Sequence, residues 1–357
     1  MPTDTEGNLS SARGVKFRER TRVLGVWDLR TAPVTLGGLL LLAEELHAQA
    51  MIRQADIGGV LFITDASHPL PVSAAAPRSD QVVELDRPTC TGSGLISVLL
   101  DLKGVDTCFQ AGSVSAIQAF VSSASCTHVV WPPLDTVDEK GRIDYKYATT
   151  LFLQRFCREH GSIPTLSVKA QPLQWALEFI RGRVVPSLPV AVHLKYQPDQ
   201  QGYSNANFEE WLAFLEASIA RFDVKFILIG DDEIDGRIRA LPNVLVSRHA
   251  GSTLATDLAL IQTSFAFVGM ATGPCNMALF SETPYVIYKN PGHDAEEMLL
   301  ELGDSDRFSF ARPFQRVLRM FETRENLLAE FAHIYAHVSR QVWETRLSKL
   351  VDRSRGQ

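Results

Sequence analysis

Apolar and polar residues alternate along this chain in two rhythms. Short apolar runs are too brief for helices but long enough for buried strands. In the first half these runs cover Arg22–Leu29, Val60–Thr64, Val82–Leu85, Thr107–Gln110 and His128–Trp131. Between them, apolar residues recur at helical spacing, as in the segment that runs from Leu39 to Arg53. The pattern therefore predicts a sheet covered by helices.

The same alternation continues in the second half. The predicted strands are Val190–Leu194, Lys225–Gly230, Val244–Ser247, Ser264–Met270 and Thr283–Tyr288. Helical patterns separate them, including Phe208–Arg221, Asp257–Thr263 and Cys275–Phe280. After Lys289 the pattern predicts a loop and then one helical stretch, Arg324–Val351. The order of strand, helix and strand is that of βαβ units in a parallel sheet.

The two halves are predicted to be separate α/β domains. Residues 1–18 are polar and are expected to form a flexible tail. We expect a Rossmann-like domain at residues 19–170 and a linker at 171–189 that ends in a proline-containing segment. A second Rossmann-like domain is expected at residues 190–320, followed by helices at 321–357 that pack across both domains.

The composition indicates a globular protein and narrows the range of its partners. Of its 357 residues, 45% are apolar and 21% are charged, which allows a full hydrophobic core. The net charge of −6 argues against a surface for nucleic acid. Residues 1–20 hold no apolar segment, and the five cysteines form no CxxC pair. We therefore expect a cytoplasmic protein with reduced thiols.

The strongest chemical signal is the turn Thr272-Gly273-Pro274, which separates a predicted strand from a helix. A helix that begins there directs unpaired N–H groups and the positive end of its dipole outward, which suits phosphate. Gly273 lets a ligand approach the backbone, and Pro274 suits the first helical position. Thr272 adds a hydroxyl donor, and Cys275 and Asn276 open the helix. The alternative is that Gly-Pro marks only the start of a helix.

The two apolar segments around this turn, followed by a helix and the strand TPYVIY, resemble the carboxyl-terminal domain of GT-B glycosyltransferases. The nearest branch is that of the ADP-heptose:lipopolysaccharide heptosyltransferases. The resemblance is clear from Val190 to Lys289. It implies two Rossmann-like domains facing each other across a cleft, with a nucleotide-sugar donor on the second and an acceptor on the first. It also implies that Lys195, just after a strand, acts on the donor diphosphate.

Other residues at predicted strand ends complete the candidate donor site: His193, Gly230, Asp231, Arg248, His249, Ser252 and Thr253. Asp231 can bind ribose hydroxyls, and in GT-B proteins the loop that holds Arg248 lies over the base. Structural roles remain open alternatives for several of them. His193 can be a hydrogen-bonded core residue, and Ser252 or Thr253 can cap the next helix.

In the first domain, Asp28 follows the first strand, where GT-B enzymes often keep their catalytic base. A carboxylate whose pKa is raised by burial can deprotonate an acceptor hydroxyl. Asp65 and His68, after the second strand, are competing candidates, and a turn role is the alternative for Asp28. The remaining acceptor-side candidates are Arg30, Gly37 and Gly38. We expect the arginine to meet an anionic acceptor and the two glycines to precede the long helix.

The resemblance implies a glycosyltransferase that moves a hexosyl or heptosyl group from a nucleotide sugar to a hydroxyl of a glycan or glycolipid. Helix dipoles and basic side chains are expected to carry the leaving diphosphate, so neither a metal nor a cofactor is expected. Peripheral contact with the inner face of a membrane is compatible with such an acceptor. One alternative is a nucleotide-sugar epimerase or hydrolase on the same fold. Another is a non-catalytic protein that binds a nucleotide or glycan, and its first domain would present no accessible carboxylate near the cleft.

Overall fold

The structure is a computed structural model that describes residues 21–70, 76–86, 94–197 and 205–355. The tail predicted at residues 1–18 lies outside these ranges, as do Cys90 and parts of the long polar segment that follows Asp65.

The first half of the chain forms a five-stranded sheet. Its strands are β1 (Arg22–Asp28), β2 (Asp56–Ile63), β3 (Val82–Leu85), β4 (Cys108–Ala111) and β5 (His128–Trp131). Its helices are α1 (Leu36–Arg53), α2 (Leu95–Asp101), α3 (Val114–Ser123), α4 (Leu151–His160) and α5 (Ala170–Arg183). The strand order is β3-β4-β2-β1-β5, and every pairing is parallel except that of β3 with β4.

The second half forms a six-stranded, wholly parallel sheet. Its strands are β6 (Leu188–His193), β7 (Val224–Leu228), β8 (Val244–Val246), β9 (Ala266–Met270), β10 (Tyr285–Tyr288) and β11 (Gln315–Leu318), in the order β11-β10-β9-β6-β7-β8. Its helices are α6 (Phe208–Ser218), α7 (Gly236–Arg239), α8 (Leu254–Thr263), α9 (Cys275–Leu279), α10 (Ala295–Leu302), α11 (Arg324–His337) and α12 (Arg340–Arg355). A 3₁₀ turn, Ser247–Ala250, follows β8.

The two sheets face each other across a cleft, which confirms the fold class predicted from the sequence. Strands β6 and β9 are buried along their whole length. A parallel strand covered by helices on both faces is expected to be apolar throughout, so these strands read as short apolar runs. The carboxyl ends of parallel strands lie at one edge of a sheet, which is where open α/β folds bind their ligands.

The chain's last helix returns to the first half, as the predicted fold requires. In α12, the indole N–H of Trp343 donates to the Thr263 carbonyl at 2.9 Å. Further along, Lys103 of the first half donates to the carbonyl of Arg353 at 2.6 Å. The single helical stretch predicted from Arg324 is interrupted at Val338, and the pattern missed both α10 and β11. No helix within the described ranges is both long enough and apolar enough to cross a bilayer.

The prediction that Gly37 and Gly38 precede the long helix was wrong, because both lie in the first turn of α1. The helix begins after Thr35, whose hydroxyl accepts a hydrogen bond from the N–H of Gly38 at 3.2 Å. A threonine in extended conformation is a better N-cap than glycine, since its side chain satisfies an N–H that the helix leaves unpaired.

Candidate functional site

A cavity of about 1050 Å³ lies between the two sheets. One wall consists of the segments that follow β6, β7, β8, β9 and β10, together with part of α10. The opposite wall consists of the start of α1, the start of α2 and residues 148–150. Sites for small molecules usually measure about 300–1,000 Å³, so the cavity is large enough for a nucleotide sugar.

Most of the sequence-predicted site residues lie in this cavity. Those that line it are Gly37, Gly38, His193, Lys195, Gly230, Asp231, Arg248, Ser252, Thr253, Thr272, Gly273, Pro274, Cys275 and Asn276. Those that do not line it are Asp28, Arg30, Asp65, His68 and His249. The residues predicted for the donor side therefore lie together in one cavity, whereas most of those predicted for the acceptor side do not.

The turn before α9 lines the cavity and holds backbone N–H groups without partners in the described part of the chain, but they are not those that a helix start would offer. The N–H of Cys275 bonds to the Thr272 carbonyl at 3.1 Å, and that of Asn276 to the Gly273 carbonyl at 3.3 Å. The N–H groups of Thr272 and Gly273 have no partner among the described residues. The two unpaired donors therefore belong to the turn itself, and α9 is too short for a strong dipole.

Gly273 also packs closely against the first half of the chain. A Cβ at this position would lie 2.7 Å from the Cβ of Leu36 and 3.2 Å from the backbone nitrogen of Gly37. Beside it, the amide of Asn276 donates to the Gly37 carbonyl at 2.7 Å. Glycine is needed here because a side chain would force the walls of the cleft apart.

His193 lies at the end of β6 and is buried, with 4% of its surface exposed. Its Nδ1 lies 2.9 Å from the hydroxyl oxygen of Thr272, and its Nε2 lies 3.3 Å from Oδ2 of Asp232. Burial acts to raise the pKa of Asp232, but hydrogen bonds from His193 and from the N–H of Tyr196 outweigh it, so the pKa is lowered. The sequence analysis named His193 as a donor-site candidate and left a hydrogen-bonded core role open, and it did not predict the two partners.

Arg248 lines the cavity but already has three partners. It donates to the carbonyls of Gly230 at 3.1 Å and Ser252 at 2.6 Å, and its guanidinium lies 3.1 Å from the buried carboxylate of Asp257. Asp257 in turn accepts from the N–H of Gly230 at 3.0 Å. Burial raises the pKa of Asp257 despite these hydrogen bonds. Arg248 therefore holds the loop after β7 in place, at the edge of the cavity.

The predicted helix cap is confirmed. The hydroxyl of Thr253 accepts from the N–H of Thr256, and the Thr256 hydroxyl accepts from the N–H of Thr253. This reciprocal pair is a capping box. Ser252 donates to the Ser247 hydroxyl at 2.9 Å, and His249 is exposed in the 3₁₀ turn.

Two lysines flank the Thr272–Gly273 turn, one of which the sequence reasoning missed. Lys195 follows β6 and Lys289 follows β10, the neighbours of β9 on either side. Lys289 pairs with Asp294 at 2.6 Å, and its side chain is 12% exposed. Its sequence signal was the same as that of Lys195, a lysine directly after a buried strand. His293 and Asp294 of the following loop also line the cavity.

The position of Asp28 does not support its prediction as the catalytic base. Its carboxylate is fully buried and accepts from the Arg30 guanidinium at 2.8 and 2.7 Å. It also accepts from the N–H groups of Arg30 and Ile143, both at 3.0 Å. These four donors occupy the lone pairs that a base needs. The hydrogen bond to Asp28 raises the pKa of Arg30, so the pair is a structural element rather than an acceptor site.

The competing pair, Asp65 and His68, is exposed beside this edge of the sheet. The carboxylate of Asp65 accepts from the ring of His68 at 2.9 Å and from the N–H groups of Ser67 and His68 at 2.8 Å. Neither residue lines the cavity. Their geometry is that of a turn stabilised by an aspartate.

The first-half wall of the cavity carries no titratable side chain among the residues that the structure describes. Its lining residues are Thr35, Leu36, Gly37, Gly38, Leu41, Gly94, Leu95, Ala148 and Thr150. The acids of α1 face inward instead. Glu45 is buried, accepts from Trp131 at 2.8 Å and from Tyr145 at 2.7 Å, and burial raises its pKa to about 7.

Glu301 of α10 lines the cavity and joins the halves at a second point. Its carboxylate accepts from the N–H of Thr150 at 3.1 Å and from the Thr150 hydroxyl, at the start of α4. Its carbonyl accepts from the amide of Gln154 at 2.8 Å. Within the described ranges, no group of three or more His, Cys, Asp and Glu side chains is arranged to hold a metal ion.

No protein-family model and no curated protein matches this chain. Among solved structures, the E. coli ADP-heptose lipopolysaccharide heptosyltransferase II is 15% identical over 89% of this chain and 98% of its own, with a TM-score of 0.49. A family 9 glycosyl transferase from Veillonella parvula is 11% identical over 92% and 97%, with a TM-score of 0.47. An E. coli heptosyltransferase with ADP is 12% identical over 88% and 99%, with a TM-score of 0.42. The two E. coli proteins are heptosyltransferases by name.

Proposed function

We propose that this protein is a glycosyltransferase that binds a nucleotide-sugar donor on the carboxyl edge of its second sheet. One observation carries the proposal. Thr272 and Gly273, whose N–H groups have no partner among the described residues, line the cavity between Lys195 and Lys289, at the ends of three adjacent parallel strands. Two backbone donors between two ammonium groups form an environment for a diphosphate.

The catalytic contribution of this edge would be electrostatic. When the sugar leaves, negative charge grows on the diphosphate, and donors already fixed in a partly dry cleft stabilise it without reorganising. Asp231, beside Gly230 at the end of β7, is suited to the ribose hydroxyls. The acceptor, a glycan or glycolipid hydroxyl in this proposal, would enter from the α1 side. No metal is invoked, because the lysines and the turn supply the positive charge.

The general base of this reaction would come from the second half. Asp294 and Glu301 line the cavity along α10 and the loop before it, whereas Asp28 is enclosed by its own donors. A carboxylate within hydrogen-bond reach of the acceptor hydroxyl can remove its proton as it attacks the sugar. Glu301→Gln and Asp294→Asn, assayed for transfer and for donor binding, identify which of the two acts. The variant that lacks the general base should lose the transfer reaction and keep its affinity for the donor.

A calorimetric titration of nucleoside diphosphates tests the donor site. We expect one of ADP, GDP, UDP and CDP to bind, and Lys195→Ala to weaken that binding at least tenfold, since a hydrogen bond to a charged group contributes about 1.5–3 kcal/mol. Lys349→Ala, which removes an exposed lysine of α12, is the matched control and should change nothing. Failure of all four nucleotides to bind would refute the proposed donor site.

A non-catalytic nucleotide-binding protein is the second candidate. It is favoured by the absence of titratable side chains among the described first-half residues that line the cavity. The discriminating experiment incubates the protein with the sugar nucleotide of the preferred base, with and without a mixture of glycan acceptors. Transfer or release of the sugar supports the enzyme, and binding without turnover supports the binding protein. Interconversion of the free sugar nucleotide without acceptor would instead support an epimerase.

A further inference from the structure

Three side chains at neighbouring strand ends form a continuous chain of polar contacts. Oδ2 of Asp232 lies 3.3 Å from Nε2 of His193, and Nδ1 of the same ring lies 2.9 Å from the hydroxyl oxygen of Thr272. The order is therefore carboxylate, imidazole, hydroxyl, and the hydroxyl end borders the proposed diphosphate position. The proposed donor site uses two lysines and two backbone N–H groups, and it assigns no role to the imidazole of His193.

The fold makes room for the ring and fixes it. A Cβ on Gly230 would lie 2.9 Å from both Cδ2 and Nε2 of His193, and Gly230 has a φ of +93°, a conformation that other residues rarely adopt. A Cβ on Gly269 of β9 would lie 2.7 Å from the His193 carbonyl oxygen. With 4% of its surface exposed, the histidine has little freedom to turn.

The charges around His193 decide which ring nitrogen carries hydrogen. Asp232 faces Nε2 from the loop after β7, and Lys195 on the segment after β6 also lowers the pKa of Asp232. Behind Gly230 lies the Arg248–Asp257 pair, which is internally compensated. An ionised carboxylate only accepts, so Nε2 of the neutral ring must bear the hydrogen and Nδ1 must accept.

This tautomer determines what the Thr272 hydroxyl can do. The Thr272 hydroxyl oxygen lies 2.9 Å from Nδ1 and 3.4 Å from the Met270 carbonyl oxygen. With Nδ1 as an acceptor, the hydroxyl gives its only hydrogen to the ring, which is the shorter of the two contacts. The oxygen then presents lone pairs, not a hydrogen, to an anion in the cavity. The arrangement suits the protein without ligand but opposes a phosphate oxygen at the turn.

We propose that binding of the diphosphate draws one proton from solvent onto Nδ1 of His193, and that this switches the Thr272 hydroxyl from the ring to the phosphate. The Nδ1–H then donates to the hydroxyl oxygen, and the hydroxyl hydrogen donates to a phosphate oxygen. No covalent bond other than the new N–H is formed. The inference rests on the proposed donor site, and within it His193 is a positioning residue that acts through Thr272.

The consequence is a site whose positive charge increases when the ligand arrives. The imidazolium is stabilised on one side by the Asp232 carboxylate and on the other by the anion beyond Thr272. As charge builds up on the departing diphosphate, the same contact becomes stronger. Proton uptake on binding is a property that a purely structural histidine does not have.

The test is calorimetric titration of the tightest-binding nucleoside diphosphate in buffers that differ in ionisation enthalpy. At about pH 8 the terminal phosphate is already ionised, so proton uptake reports on the protein. We expect uptake approaching one proton for the wild type and none for His193→Asn, with affinity about tenfold lower in the variant. His160→Asn, on the exposed end of α4, is the control and should take up as many protons as the wild type.

A second variant separates the relay from simple structural support. In Asp232→Asn the amide can donate to Nε2, which moves the ring hydrogen to Nδ1 without any protonation. We therefore expect this variant to keep its affinity within about threefold and yet lose proton uptake. A histidine that only supports the fold predicts no such separation of affinity from uptake.

The outcomes distinguish the two proposals. If the nucleotides and inorganic pyrophosphate all fail to bind, both the donor site and the relay are overturned. If a nucleotide binds to the wild type without proton uptake, or if His193→Asn takes up as many protons as the wild type, the relay alone is overturned. Loss of uptake in both His193→Asn and Asp232→Asn, with affinity kept in the latter, supports it.

Discussion

The carboxyl edges of the two sheets have similar topology and opposite chemistry. In the first sheet, Asp28 at the end of β1 is enclosed by the Arg30 guanidinium and by backbone N–H groups. In the second sheet, Thr272 and Gly273 after β9 line a cavity, and their N–H groups have no partner among the described residues. The same position after a strand therefore holds a carboxylate enclosed by donors in one sheet and backbone donors without described partners in the other. One edge is closed by its own ion pair, and the other is open to a ligand.

The first prediction removes the charge that closes the first edge. Asp28→Asn leaves the Arg30 guanidinium without its carboxylate, and breaking a buried pair in this way costs about 3–5 kcal/mol. We expect that loss in the free energy of unfolding measured with urea, together with an unchanged Kd for the nucleoside diphosphate. Asp65→Asn, on the exposed aspartate of the next strand end, should cost less than about 1 kcal/mol. Equal losses in the two variants would show that Asp28 does not close this edge.

The second prediction concerns Glu45, a buried acid of α1 in the first half of the chain. Burial raises the pKa of Glu45 from 4.5 to about 7, so the folded protein keeps a proton that the unfolded chain releases. The stability linked to that proton is fully present below pH 4.5 and is lost as the pH rises through about 7. Between pH 4.5 and a pH well above 7, the free energy of unfolding of Glu45→Gln should therefore rise by about 3 kcal/mol relative to that of the wild type. Urea unfolding across this pH range measures it, and parallel profiles would contradict it.

The third prediction tests whether the second edge is as open as its geometry indicates. Lys289→Ala should weaken binding of the nucleoside diphosphate by about 10- to 100-fold, because a charge-assisted contact to phosphate is lost. Its stability should change little, since its partner Asp294 is half exposed. Lys140→Ala, an exposed lysine of the first half, is the control for both measurements. An unaltered Kd would place the diphosphate away from β10.

The fourth and smallest effect is expected where the two edges touch. Gly273→Ala places a Cβ 2.7 Å from that of Leu36, so the walls must separate by a fraction of an ångström. We expect a loss of about 1–2 kcal/mol in unfolding free energy, as for other overpacked contacts. Gly182→Ala is the matched control, because its Cβ would meet nothing within 4 Å in α5. There alanine should be neutral or stabilising, given its higher helix propensity.

The sequence predicted the edge of the second sheet better than that of the first, because the signals at the two edges differ in how far apart the interacting residues lie along the chain. Thr272 and Gly273 stand in a local pattern of strand, turn and helix, which is visible within a few residues. The fate of Asp28 depends on a donor at Ile143, more than a hundred positions away, which no local pattern reveals. The same limit hid the contact of His193 with Asp232 and Thr272.

Element boundaries show a similar division. Strands β3 and β5 coincide with the apolar runs at Val82–Leu85 and His128–Trp131. Strand β11, with the sequence QRVL, was missed because two of its four residues are polar. Its place in the sheet comes from parallel pairing with β10, which is a tertiary contact. Lys289, in contrast, had the same local signal as Lys195 and was overlooked.

The two bridges across the cleft bear on the speed of binding. The amide of Asn276 donates to the Gly37 carbonyl, and the Glu301 carboxylate accepts from the N–H of Thr150. The two walls of the cavity are therefore hydrogen-bonded to each other in the protein without ligand. Separation of the two walls requires these contacts to break, and loop and domain openings of this kind take microseconds to milliseconds. Cutting either one, for instance with Asn276→Ala, should quicken both arrival and departure in stopped-flow traces. Residence time, more than equilibrium affinity, would then be what these two small contacts control.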